Sequence, residues 1–449
     1  MPAFSRPPIP AIVSQHVEEA AHLRHVRSVL VRAPHVKLHQ LGRLDERIAA
    51  HLDGIAVAGD FGLQLCRQAL ESPTAGPVFA LAVQALESRD EAGLQRLFAL
   101  AAAEPAAERG LLSAFGWVPA DALRGTIRDL LASGDALRQA TGLAACAMHR
   151  VDPGAALVAA LGAKDERLRL RALRVAGEVG RQDVLPQVEA ALQLALQTGS
   201  AATSASDPAS AAALFWSARS ALLLGQHGVA LDALANVAEG VGPHSDAAAT
   251  WALKALDLER ARAHLRYWAA RSRETTPAAA MARRRLIQRC GVVGDPHVIP
   301  WLIQQMADLS VSRLAGEAFT AITGADLAGL DLERKPPEDA GDGRYGGPTE
   351  DPADDHVALD EDESLPWPDA ARVQGWWEQH QGNFPAGQRF FLGQPPSPTH
   401  ALTVLREGMQ RQRTDAAQWR ALLAPGEQAL FPTAAPTRRQ QRWLQATAH

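Results

Sequence analysis

The sequence predicts an all-α protein: an α-solenoid of antiparallel helix pairs, with an acidic linker and a short helical C-terminal segment. Two compositional facts and one pattern carry that prediction. Hydrophobic residues make up 47% of the 449, yet aromatics only 5%, with two Tyr. Such a core is built from Ala and Leu, as in helices, with little of the Val, Ile and Tyr that strands favour. The pattern lies at Asp165–Leu192, where Leu168, Ala172, Val175, Ala176 and Val179 form one helical stripe. Gly180 and Asp183 interrupt it, and Val184, Leu185, Val188 and Leu192 form a second. Two helices joined so tightly cannot bury both stripes against each other, so the pair must stack on copies of itself.

Copies are present. Counted from Arg169, Gly177 and Gly180 follow at offsets 8 and 11 and Pro186 at 17; counted from Arg283, the same offsets reach Gly291, Gly294 and Pro300. Arg313 and Gly324 repeat the offset of 11, and Arg138 precedes Arg169 by 31 residues. The pattern resembles HEAT repeats, in which Asp, a hydrophobic residue and Arg begin the second helix and Gly ends it. Asp135/Leu137/Arg138 and Asp165/Leu168/Arg169 fit; Arg283 and Arg313 keep the Arg without its bulky apolar partner. The resemblance implies that these residues are stacking hardware, each Arg pairing with an Asp of a neighbouring repeat.

In chain order, residues 1–39 are expected to form an N-terminal capping helix, its apolar face running from Ile12 to Leu30. The solenoid occupies 40–330, with short helices at 41–55, 61–70, 78–86, 94–102, 110–115 and 123–131 between turn signals such as Ser72-Pro73 and Ser133-Gly134-Asp135. Residues 197–210, QTGSAATSASDPAS, read as a flexible spacer. Helices then resume at 215–224, 230–237, 247–256 and 260–270. From 331 to 368 the chain becomes an acidic linker; Asp331 to Asp369 holds fourteen acidic and three basic residues, a balance of −11 in a chain of −5. The last stretch, 369–449, is Trp-rich, with helices at 369–380, 398–412, 415–423 and 437–446. Trp367, Trp376, Trp377, Trp419 and Trp443 are expected to pack it back onto the solenoid.

No catalytic constellation is evident: no GxSxG elbow, phosphate-binding loop, HExxH or dinucleotide fingerprint. No cofactor or metal is expected. Glu19/His22 and His35/His39 have helical ligand spacing but no second half, and the acidic run lacks EF-hand offsets. Cys66, Cys146 and Cys290 lie far apart in apolar stretches, as buried reduced thiols do. Without a signal peptide pattern or a long apolar run, a cytoplasmic setting without membrane insertion is expected. Only four Lys stand against 41 Arg, a bias that fits a GC-rich bacterial genome. The Arg-dense region 260–290, with Tyr267 and Trp268, raises nucleic acid as a ligand. The net acidity and the neighbouring acidic linker argue against it. The linker could instead lie along the ridge of Arg169, Arg283 and Arg313.

Several segments, in order, resemble an uncharacterised bacterial family of HEAT-like proteins encoded among type VI secretion genes. They are VSQHVEEAAHLRHVR (13–27), SRLAGEAFTAITGADL (312–327), DPADDHVALDEDESLPWPD (351–369), GQRFFLGQP (387–395) and VLREGMQRQR (404–413). The resemblance implies a non-enzymatic scaffold, an adaptor or chaperone loading a type VI effector or spike component. An immunity protein that neutralises a cognate toxin is the alternative, and a HEAT-like nucleic-acid-binding or DNA-glycosylase enzyme a more distant one. Candidate partner-binding residues are Trp367, Trp376, Trp377, Arg283, Arg284 and Arg285.

Overall fold

A computed structural model of the chain describes residues 7–201, 208–273, 276–337 and 362–446. Among these residues 22 α-helices form and no β-strand, only isolated bridges. The chain divides into two compact units, residues 1–225 with 403–449, and residues 226–402. The division falls inside the stretch that the sequence suggests as one solenoid, and it splits the Trp-rich segment between the two.

The first unit begins with α1 (Pro10–Leu30), α2 (Leu38–Val57), α3 (Gly59–Gln68), α4 (Ala75–Ser88), α5 (Glu91–Ala103) and α6 (Pro105–Trp117). It continues with α7 (Thr126–Leu131), α8 (Ala136–His149), α9 (Ala155–Leu161), α10 (Glu166–Val179), α11 (Leu185–Ala201) and α12 (Pro208–Leu223). Helix α1 packs on α2 and α4, and then α4, α6, α8, α10 and α12 pack each on the next, forming one layer. Helices α5, α7, α9 and α11 pair with their sequence neighbours in that layer. The suggested spacer at 197–210 is narrower than its composition indicates. Helix α11 runs through Ala201 and α12 starts at Pro208, so only 202–207 lie outside the described residues.

The second unit repeats the plan with α13 (Val229–Glu239), α14 (Ser245–Ala255), α15 (Leu258–Arg271), α16 (Pro277–Val293), α17 (Ile299–Gln305) and α18 (Ser312–Thr323). Here α14, α16 and α18 form the layer, and α13, α15 and α17 pair with it. Helix α19 (Ala370–His380) packs on α17, and α20 (Pro398–Glu407) spans the division at 402/403. Pairing of Glu333 with Pro368 fastens together the residues that flank 338–361, with Arg334 N donating to Trp367 O and Asp369 N to Leu332 O, each at 2.8 Å.

The repeat residues have distinct physical roles. Asp135 and Asp165 cap their helices, accepting from the third-residue amides of Arg138 and Leu168 at 2.9 Å. Pro300 lies in the first turn of α17, where the missing amide costs nothing, and Pro186 is the second residue of α11. A Cβ on Gly177 would meet the Cα of Ser220 in α12 at 2.8 Å, and one on Gly291 would meet the Cα of Ala318 in α18 at 3.2 Å. These two glycines therefore set the helix approach within the layers. Gly180, Gly294 and Gly324 end their helices in the left-handed conformation, at φ +73°, +72° and +72°.

The Arg positions are less uniform. Arg283 pairs with Asp308 of the next helix pair at 2.7 Å, as a ladder requires. Arg169 instead donates to the carbonyls of Ala163 and Lys164, Arg138 bonds Gln95 and covers Phe98, and Arg313 stacks on Trp367. Inter-repeat Arg–Asp pairs do occur, between Arg181 and Asp152 and between Arg262 and Asp295, at positions outside the repeat pattern.

The remaining helices, α21 (Gln410–Leu423) and α22 (Thr437–Ala446), and the irregular chain around them complete the first unit in a way its hydrophobic pattern does not disclose. An α-helix leaves its last four carbonyls without partners and carries partial negative charge there. In this unit the segment 425–439 supplies donors to those ends. Gly426 N donates to Leu223 O at the end of α12 and Leu430 N to Glu178 O at the end of α10. Arg439 spans the ends of α6 and α8, donating to Gly116, Trp117, Val118 and Met148 carbonyls at 2.8 to 3.5 Å. Residues 425–439 thus form a strap over these helix ends, and Asp45 anchors its end by accepting from Thr437 N at 2.7 Å and pairing with Arg27 at 2.6 Å. In the second unit residues 389–393 do the same. Arg389 bonds the carbonyls of Leu253 in the last turn of α14 and of Leu256 just past it, Phe390 N donates to Gly294 O, and Leu392 N and Gly393 N donate to Ala321 and Ile322 in α18.

Candidate protein-binding face

The six residues singled out for partner binding are engaged within the second unit. Trp367 is buried beneath Arg313, and Trp377 is buried against Phe384. Trp376 is half-buried between Phe319, edge-on at 5.6 Å, and His380, stacked at 4.2 Å. Arg283 holds Asp308, and Arg285 faces Asp246 at 3.2 Å. Arg284 makes a two-pronged pair with Asp362, both contacts 2.8 Å. The described end of the acidic segment thus docks on α16 through Arg284 and on α18 through Arg313, while the rest of the linker suggested to lie along the ridge of Arg169, Arg283 and Arg313, residues 338–361, lies outside the described residues.

Three further arginines of the Arg-dense region are also paired. Arg260 meets Asp232, Arg262 meets Asp295 and Arg266 meets Glu259. Trp268 is 2% exposed, with the Arg289 guanidinium 4.0 Å from its ring centre, so it offers no platform for stacking a base. Burial, followed by Arg289, pushes the His264 imidazole down to about 4, which keeps it neutral inside this cluster. Among the described residues no three His, Cys, Asp or Glu side chains converge as metal ligands would. Glu19 and His22 line a surface groove, while His35 and His39 are exposed.

A different basic surface lies on the first unit, along α6, α10 and α12. On α10, Arg167, Arg171, Arg174 and Glu178 recur every three or four residues and share one side of the helix. Arg167 reaches across the small residues of α8 to Glu108 of α6 at 3.6 Å. Beside Glu108 stand Arg109 and Ser113, and Ser113 accepts from Arg24 of α1 at 2.7 Å. On the other flank Trp216 of α12 lies under Arg174, 4.9 Å from its ring centre, and under Arg219 at 5.2 Å.

The charges on this face do not balance. Arg174 and Arg219 both reach Glu178, at 2.8 and 3.5 Å. Burial pushes the Glu178 carboxyl up, yet Arg174, Arg219 and Arg171 together hold it below the usual range. Arg171 makes no hydrogen bond or ion pair among the described residues. Its guanidinium is pulled below its ordinary value by burial first and by Arg174 second. A half-buried cation in that position is under-compensated, and an incoming carboxylate would relieve it. The crowding of Arg167, Arg169, Arg171 and Arg174 is visible in the sequence. Only the structure separates Arg169, turned to backbone carbonyls, from the other three.

No family model, curated protein or solved structure matches the chain. No described helix is long and apolar enough to cross a membrane.

Proposed function

We propose that the protein is a non-enzymatic, HEAT-like scaffold that holds another protein through an acidic segment laid on the α6–α12 face. The observation that carries this reading is Arg171, half-buried between Arg167 and Arg174; Glu178 and Glu108 offset part of its charge, but neither forms an ion pair with it among the described residues. Glu108 and Glu178 on the same face would repel a continuous phosphate backbone, whereas a partner with spaced carboxylates avoids them. The resemblance to a family encoded among type VI secretion genes supports a cytoplasmic adaptor or chaperone role in effector or spike loading.

Arg171→Gln is the test. It removes a strained charge, so the thermal midpoint should stay level or rise, while partner affinity falls about tenfold, equivalent to roughly 1.4 kcal/mol. In the host, deletion should abolish effector export without self-poisoning, and Arg171→Gln should fail to restore export. Growth arrest on deletion, rescued by the wild-type gene, would establish the immunity role instead. Retention of DNA on a filter at about 50 mM salt would replace the protein partner with nucleic acid.

A further inference from the structure

A second surface, on the outer side of the α1–α2 pair, goes beyond that reading. Glu19, His22, Leu23, Val26 and Leu30 of α1 face Gln40, Arg43, Leu44 and Arg47 of α2 across an open groove of about 450 Å³. Leu23 and Leu44 form its floor, Val26 and Leu30 its half-buried wall, and Arg43, Arg47 and His22 its exposed rim. Ile12, 48% exposed, continues the stripe at seven-residue intervals through Glu19 and Val26.

The two helices that line the groove are tied to each other by side chains. His16 and His51 bring their Nδ1 atoms to 3.0 Å across the two helices, and Arg27 pairs with Asp45 at 2.6 Å further along. The turn between the helices is tied to the C-terminal segment: Gln410 N donates to Val36 O at 2.8 Å, Arg411 Nε donates to Arg32 O at 3.0 Å, and Lys37 bridges Met409. A groove whose walls cannot splay or close binds without the cost of ordering them.

We infer that this groove is a docking site for an amphipathic helix of a partner protein, one whose apolar stripe is flanked by Asp or Glu. The volume lies in the range of sites that take a few large side chains, and the helical stripes of α1 and α2 present anchors at the spacing a third helix would match. Charge selects the partner's sign. Glu19 is the sole carboxylate lining the groove and lies only 4.0 Å from Arg47, leaving Arg43 to face incoming acid.

The probe is a synthetic fluorescein-labelled helix of about fourteen residues, with Leu every three or four positions and Glu on both flanks. It is compared with the same peptide bearing Lys for Glu, using anisotropy on the full chain. The Glu peptide should bind and weaken with salt, and the Lys peptide should not. The double variant Arg43→Glu, Arg47→Glu, at exposed positions that leave the core intact, should cost the Glu peptide at least tenfold. Arg171→Gln should leave it unchanged. Equal binding of the two peptides, no binding up to about 1 mM, or indifference to the Arg43/Arg47 variant would overturn the proposal. Tighter binding to anionic vesicles than to the peptide would also overturn it. Loss of binding in Arg171→Gln alone would move the peptide to the α6–α12 face, ending this proposal while leaving the scaffold reading intact.

Discussion

Replacing Gly294 with Ala is expected to destabilise the second unit by about 3 kcal/mol or more, whereas Gly180→Ala should cost the first unit only about 1 kcal/mol. Both glycines end a layer helix at nearly the same positive φ, so the backbone penalty for Ala is shared, roughly 1 kcal/mol. They differ in what lies outside. A Cβ on Gly294 would be driven into the carbonyl oxygen of Phe390, whose own amide bonds Gly294 O at 2.8 Å, so the strap must lift away and release that bond. A Cβ on Gly180 would meet Gly426 and Gln428 carbonyl oxygens at 3.4 Å, close to ordinary contact. Because two units need not unfold together, the comparison is made on the urea transition of each, followed through exchange at the α16 and α10 amides. Equal costs at the two sites would show that the strap does not occupy the space beside Gly294.

Arg439→Met is expected to cost about 3 kcal/mol. Arg439 is 6% exposed, and four carbonyls at the ends of α6 and α8 take hydrogen bonds from it. No carboxylate forms an ion pair with it among the described residues; the helix ends themselves supply the negative potential. Burial, then Arg438, Arg442 and Arg27, draws its guanidinium down to about 10, still charged at neutral pH. Losing the donors strands buried acceptors at about 1–3 kcal/mol each, partly offset because a desolvated charge leaves too. Arg439→Lys should recover little, since one ammonium cannot span four carbonyls on two helices. His149 offers a second readout. Its Nε2 donates to Phe115 O at 2.9 Å, and burial followed by Arg439 pushes its imidazole down to about 4. In Arg439→Met the His149 titration, followed by NMR, should move upward.

The helices were legible because their signals are local. The sequence predicts a capping helix within 1–39, with its apolar face from Ile12 to Leu30, and a helix over 437–446, against Pro10–Leu30 and Thr437–Ala446 observed. It sets most others too short, as at 110–115 for α6, because first and last turns are polar or small and carry no stripe. Helices 398–412 and 415–423 are re-divided at Gly408, into α20 and α21. Gly177, Gly291, Gly294 and Pro300 stand out in the sequence because helix approach and helix ends constrain residue type directly. The strap does not stand out. Its bonds run from its own amides, and from Arg439 and Arg389, to main-chain carbonyls, and a carbonyl acceptor leaves no mark on the residue that bears it. The Trp residues carry a strong signal for packing and a misleading one for exposure. Trp367 and Trp377 are buried because a large ring with one polar atom suits a segment folded onto helix surfaces. Arg171 was obscured by its neighbour: Arg169 matches the repeat, and spacing alone cannot tell which arginines of one helix share its role.

Hydrogen exchange on the intact protein tests most directly whether the C-terminal segment is a structural cap on the helix layers. Residues 389–394 and 425–431 contain no α-helix, and as an ordinary tail they would exchange at the rate of an open chain. The amides of Phe390, Leu392, Gly393, Gly426 and Leu430 are instead expected to exchange as slowly as the helix ends they bond, slowed by several orders of magnitude relative to an unprotected amide. Exchange of these five at the unprotected rate, with α10 and α16 still protected, would contradict the account.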